Sequence, residues 1–277
     1  MKIIEKISIA KTGQEKDNED AMVIADSFIA VIDGMTPKDY SLYQGESPAR
    51  IAIKRIATEI QSFPANITCL EASRRLTECI RDYYVENNMM KEVTDHPHKR
   101  MSASAIIFSK TRQEIWLMGD CHCLIDGFHV TNEKKIDHLL SEMRSQLISN
   151  YLQTDSVEEL LENDRAREDI QPFLMSQYLY QNNRYDSVLS YSVIDGFSMN
   201  ADQIKIATCN NAHTIVLASD GYPFLKESFT DTETELQTLL KNDPLMFNLL
   251  KSTKGIKKGN TSFDDRTYIK IKMVRSK

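Results

Sequence analysis

The 277-residue sequence predicts an α+β fold. Candidate helices fall in blocks between runs of candidate strands, where a βαβ protein would alternate them. The strands are short, β-branched runs that stop abruptly at Asp and Gly. An apolar fraction of 41% over this length is enough to bury a real core, and it argues against disorder, collagen and coiled coil.

The chain opens on strand-like runs at residues 3–10, 22–25 and 28–32, the last a continuous apolar stretch closed by Asp33-Gly34. Apolar residues then recur at helical spacing over residues 47–63 (Ile53, Ile56, Ala57, Ile60) and 69–84 (Leu76, Cys79, Ile80, Tyr83), with charges between them. That pattern predicts two amphipathic helices. After the polar segment 92–100, three strands are expected as a meander at 103–108, 114–118 and 121–125, closed by the turn Asp126-Gly127. Residues 136–152 and 157–179 read as helical or mixed, with Pro172 breaking or starting a helix. The last third returns to strands at 190–194, 204–207, 214–218 and 268–273, with helices at 232–240 and 245–251. No repeat, low-complexity tract or linker interrupts the chain, so residues 1–277 are expected to form one domain.

Charge narrows the function. Lys+Arg 34 against Asp+Glu 40 gives a net charge of −6, without a basic cluster. That argues against a nucleic-acid groove or an anionic-lipid surface, both of which need concentrated Lys and Arg. Five cysteines without framework spacing point to a reducing compartment. Glu5 and Lys6 interrupt the apolar start, and no run approaches the roughly 18 apolar residues of a membrane helix. A soluble cytoplasmic protein is expected.

Carboxylates recur at the strand ends. Asn18-Glu19-Asp20 precedes the strand at Met22, Asp33-Gly34 follows residues 28–32, and Gly119-Asp120 follows 115–118. Asp220-Gly221 follows 215–219, and Asp264-Asp265 precedes Tyr268. Any one of these makes an ordinary turn. Together they form the inventory of a hard-cation site, because Mg²⁺ and Mn²⁺ prefer oxygen ligands and an Asp at a strand end is short and rigid. A two-ion site, with ions about 3.5–4 Å apart, needs a bridging carboxylate, flanking carboxylates and room for water.

The segments NEDAMVIADSFIAVIDG (18–34), SASAIIF…EIWLMGD (102–120), TIVLASDGY (214–222) and SFDDRTYIKI (262–271) resemble, in order, the metal-dependent Ser/Thr protein phosphatases of the type 2C (PPM) family. The resemblance implies a four-layer αββα sandwich, two antiparallel sheets flanked by helices, with a binuclear Mg²⁺/Mn²⁺ centre at the sheet edge. It makes Asp33 the bridging ligand, with the Gly34 carbonyl on one ion and Asp220 and Asp264 on the other. Glu19 and Asp20 would bind the first ion directly or through water, and Asp120 would serve a weaker third. A water acidified by the cations would attack phosphorus in line. The implied substrate is a phosphoprotein or a small phosphomonoester, with neither nucleic acid nor membrane as partner.

The sequence departs from the family in its auxiliary groups. Met35-Thr36-Pro37 stand where relatives carry His-Gly-Gly, so the proton-donating histidine is absent. Lys16, one residue out of register, stands for the phosphate-gripping Arg and offers a point charge without a bidentate fork. Phe224 occupies a position where many members have an Asp, and His122-Cys123 follow Asp120-Cys121 in place of Arg-Ala. Cys121-His122-Cys123 lacks a second pair for zinc and reads as ordinary thiols, while His96 and His98 sit in a polar loop. Met89, Met90 and the Tyr-rich stretch 178–185 read as packing, and the lysines of 254–258 as a solvated loop. The alternative is a pseudophosphatase that keeps the fold and binds a phosphorylated partner without turnover. Retention of Asp33, Asp220 and Asp264 favours catalysis.

Overall fold

The computed structural model describes residues 1–37, 42–183 and 187–273. Two five-stranded sheets, antiparallel throughout, organise them. One contains β1 (Lys2–Ile9), β6 (His122–Ile125), β7 (Phe128–Val130), β9 (Thr214–Ala218) and β10 (Arg266–Lys272), in the spatial order β1-β10-β9-β6-β7. The other contains β2 (Asp20–Ile24), β3 (Phe28–Gly34), β4 (Ala103–Ser109), β5 (Glu114–Met118) and β8 (Lys205–Thr208), in the order β2-β3-β4-β5-β8. The helices are α1 (Pro48–Gln61), α2 (Cys69–Glu86), α3 (Met90–Asp95), α4 (Lys135–Tyr151), α5 (Val157–Glu162), α6 (Arg165–Ser176) and α7 (Phe229–Asn242).

Strand alternation shows how the layers stack. Ile29 and Val31 of β3 meet Ile215, Leu217, Ile269 and Ile271 of the other sheet, while Phe28, Ala30 and Ile32 turn to the opposite face and pack on α1 and α2. β3 is therefore buried on both faces, which explains its uninterrupted apolar run; each buried Ile contributes about 2 kcal/mol. Leu124, Val216 and Tyr268 carry the outer face of the first sheet onto Leu236, Leu239 and Leu240 of α7. The result is the expected αββα sandwich. α4 and α6 form a separate layer, sharing the cluster of Ile136, Leu140, Ile170 and Leu174 against Met35.

Several local expectations are corrected. The meander does not continue past β5, because Gly119 (φ +97°) turns the chain across to the other sheet, where β6 pairs with β7 and β9. Among the described residues, 190–194 form isolated bridges and no ladder, since the Asn182 side chain takes both the N–H and the carbonyl of Val193 that a ladder would use. Residues 245–251 are not helical. Met246 is left-handed (φ +52°), and the Asp243 carboxylate accepts the N–H groups of Phe247, Asn248, Leu249 and Leu250. Pro172 lies inside α6, which continues past it. The polar segment 92–100 overlaps α3, and β7 was not anticipated. Tyr185 of the Tyr-rich stretch lies outside the described residues. Among the described residues no helix is long and apolar enough to cross a membrane.

Candidate metal centre

Five acidic strand ends meet at one rim of the sandwich. β2 and β3 pair with Asp20 directly opposite Asp33. Asp120 sits where the chain crosses between sheets, and β9 and β10 pair so that Asp220, just after one, faces Asp264 and Asp265, just before the other. One carboxylate oxygen from each of Asp33, Asp120 and Asp220 lies within 4.8 Å of the other two. Close backbone approach accounts for neighbouring glycines: a Cβ on Gly221 would lie 1.9 Å from the Asp265 carbonyl, and one on Gly119 2.2 Å from Ser104 Oγ.

The acids fall into two electrostatic groups. Burial first, and then Asp220, Asp20, Asp264 and Asp120, push the Asp33 carboxyl well above the usual carboxylate range. Burial, with Asp264 and Asp120, raises Asp220 to about 7. Burial raises Asp20 to about 8 although Ser219 Oγ donates to it at 2.7 Å. Among the described residues, one oxygen of Asp20 and one of Asp220 are buried without a hydrogen-bond partner, which is costly unless something satisfies them. Oxygen donors short of partners, pressed together at like charge, fit a hard divalent cation.

Asp120 and Asp264 behave oppositely. Burial would raise each, but lysines more than offset it and hold both below the ordinary range. Asp120 accepts from Lys134 Nζ at 2.7 Å and from Ser104 Oγ at 2.5 Å. Asp264 accepts from Lys254 Nζ, with Lys11 Nζ 3.6 Å away. Lys11 also reaches Asp265 at 2.9 Å and Glu19 at 3.3 Å. Burial works against the Lys11 and Lys134 ammonium groups, yet these acids keep both above the ordinary lysine range.

The anticipated residues are thus mostly brought together, with two exceptions. Glu19 is buried beside the cluster, but its carboxylate is engaged by Lys11, Thr36 and Ser47. Lys16 is exposed on an outward turn, Glu15–Asp17, and does not line the cavity. Gly34 ends β3, its N–H donating to the Glu19 carbonyl at 2.9 Å. The sequence does not mark Lys11, Lys134, Ser104 or Ser219, and Lys254 lies in the segment whose pattern reads as a solvated loop, whereas its ammonium reaches Asp264. Nothing in local pattern marks a lysine as buried, and only the pairing of distant strands does so.

The cluster floors a cavity of about 370 Å³, a volume suited to a small ligand. Its walls include Lys11, Lys134, Lys254, Met35, Arg167 and the histidines His122, His129 and His138. His122 Nδ1 lies 2.7 Å from His129 Nε2, and burial, then His129, lowers His122 to about 4. His96 and His98 are not among the lining residues.

No family model matches the chain, and no curated protein matches it. Solved structures similar over nearly its whole length include a bacterial serine phosphatase, with 14% identity, a TM-score of 0.47 and 99% of each chain covered. Stp1 from Staphylococcus aureus is similar at 14% identity and a TM-score of 0.46, over 99% of this chain and 96% of that one. The Mycobacterium tuberculosis serine/threonine phosphatase PstP/Ppp is similar at 13% and 0.46, over 98% of each.

Proposed function

We propose that the chain is a divergent type 2C (PPM) phosphatase that removes phosphate from phosphoserine or phosphothreonine in proteins, or from small phosphomonoesters. Mg²⁺ or Mn²⁺ would be held by Asp33, Asp120, Asp220 and Asp264, as the resemblance implies for two ions and a weaker third. The carrying observation is the convergence of Asp33, Asp120 and Asp220 at ligand distance, with unpartnered buried oxygens on Asp20 and Asp220.

Bound cations would neutralise phosphate charge and acidify water. The chain's own groups do the rest. Asp33, central to the cluster, offers a carboxylate to either side, and the Gly34 carbonyl stands beside it. Asp20, with one buried oxygen left unpartnered among the described residues, would hold water, whereas the Glu19 carboxylate is taken up by Lys11, Thr36 and Ser47. Lys11 and Lys134 supply ammonium donors to the cavity where a phosphate dianion would enter, a role the exposed Lys16 is poorly placed to fill. Met35 packs against the apolar cluster that includes Ile136, Leu140, Ile170 and Leu174, and offers no proton to a leaving group.

The test is hydrolysis of an aryl phosphate and a phosphoserine peptide with and without Mn²⁺. Turnover should require Mn²⁺ or Mg²⁺, and EDTA should abolish it reversibly. Full activity in chelator would refute the mechanism. Pairing of Asp120 and Asp264 with lysines favours the alternative, a phosphoprotein-binding module without turnover, which predicts phosphopeptide binding and no hydrolysis at any Mn²⁺ concentration.

A further inference from the structure

We propose that Lys254 is a tethered competitor for the second divalent cation: its ammonium occupies Asp264, so one ion binds tightly and the next must displace it. The inference rests on the metal-centre reading above and concerns how the centre fills.

Three observations carry it. First, both oxygens of Asp264 are engaged: Oδ2 receives Lys254 Nζ, and Oδ1 accepts the Asp265 N–H at 3.0 Å with Lys11 Nζ 3.6 Å away. Asp220, across the β9–β10 pair, instead has a buried oxygen with no partner among the described residues. The rim is therefore divided into a side short of positive charge, Asp33 with Asp220 and Asp20, and a side already supplied with it.

Second, the Lys254 backbone is anchored in place. Arg144, fully buried, donates from Nη1 to the carbonyls of Met246 at 3.2 Å and Ser252 at 2.9 Å, and grips Asp164 with Nε and Nη2. Arg167 donates to the Thr253 carbonyl, and Ile256 N–H to Pro244 at 2.9 Å. Gly255 fits so closely that a Cβ would lie 2.9 Å from the Leu245 carbonyl. Residues on both sides of Lys254 are held by a buried network, so the ammonium is delivered to the rim by the fold. A freely moving surface lysine would have no such support.

Third, charge favours competition over coexistence. A divalent ion on Asp264 would sit within a few ångströms of the ammonium, a repulsion that only departure of the side chain relieves. Lys254 is partly exposed, so an outward path is open to it.

The experiment titrates Mn²⁺ into the full chain at pH 8, by calorimetry and by electron paramagnetic resonance of free Mn²⁺, for wild type, K254M and K254R. Wild type should bind one ion tightly and the second weakly. K254M should tighten the second at least about tenfold, and K254R should behave as wild type. In EDTA, K254M should melt below wild type, because Asp264 loses its counter-charge, and it should gain more from Mn²⁺. Circular dichroism establishes that each variant is folded, and K254Q serves as a second neutral replacement. One tight ion in wild type with no tightening in the neutral variants, or two equally tight ions in every variant, overturns the inference and leaves the metal centre standing. Absence of Mn²⁺ binding in all variants overturns both.

Discussion

Asp220→Asn separates what the acidic rim costs the fold from what it offers a cation. In the metal-free protein the Asp220 carboxyl is raised from 3.8 to about 7, by burial first and then by Asp264 and Asp120. A carboxyl raised on folding contributes most stability below its unfolded value, and that contribution is lost as pH rises through the folded value. Roughly three pH units at about 1.4 kcal/mol each set an upper bound of about 4 kcal/mol lost by pH 8.5. The repulsion is shared with its neighbours, so we expect a net effect of about 2 kcal/mol. The amide is nearly isosteric and carries no charge. In EDTA, Asp220→Asn should therefore melt about 4–8 °C above wild type at pH 8.5 and roughly a third as far above it at pH 5, since the loss begins at the unfolded value. Saturating Mn²⁺ should reverse the order at pH 8.5, because the variant has lost a ligand. The assay is a set of thermal melts by circular dichroism at the two pH values, with EDTA or Mn²⁺. A variant no more stable than wild type at pH 8.5 in EDTA, or equal Mn²⁺ gains in both proteins, would refute the reasoning.

Gly221→Ala should destabilise by more than about 3 kcal/mol or prevent folding, since its Cβ would strike the Asp265 backbone; soluble yield and melting temperature report it. Asp243→Ala should cost about 2–4 kcal/mol in urea unfolding, because four backbone N–H groups lose one acceptor. Met35→His should narrow the ratio of kcat/KM for an aryl phosphate to that for a phosphoserine peptide, with a stability cost of about 1–2 kcal/mol from the apolar cluster it leaves. An unchanged ratio at matched Mn²⁺ would mean that leaving-group protonation is not limiting.

The acidic rim was legible because it combines two strong local signals. Apolar β-branched runs mark strands, and a short carboxylate at the end of such a run has few apolar partners, so Asp33, Asp120, Asp220 and Asp264 stand out without any knowledge of pairing. The layered sandwich came from the ordered resemblance, since periodicity does not say which sheet a strand joins. Sheet membership failed at Gly119, where one left-handed residue sends β6 away from β5. Side chains that substitute for backbone ladders, Asn182 at Val193 and Asp243 at residues 247–250, likewise leave no periodic trace. The cavity lysines were hidden for a related reason. Lys134 stands just before α4, where a lysine is ordinarily solvated, and only the crossing from β5 brings Asp120 against it.

The division of the rim between the two sheets also bears on how quickly the protein comes apart. Asp20 and Asp33 belong to one sheet and Asp220 and Asp264 border the other, so their carboxylates meet only when the sheets dock. The β2–β3 hairpin can form before β9 and β10, which are separated in sequence by α7, pair and bring Asp220 and Asp264 to it. Repulsion between the two pairs is then small in the early chain, although Asp20 already faces Asp33 in the hairpin, and it is felt in full by the finished molecule. Raising pH in chelator would shorten the lifetime of the native state while leaving its rate of formation almost unchanged. A cation at the rim would act in the reverse sense, as a kinetic latch across the seam.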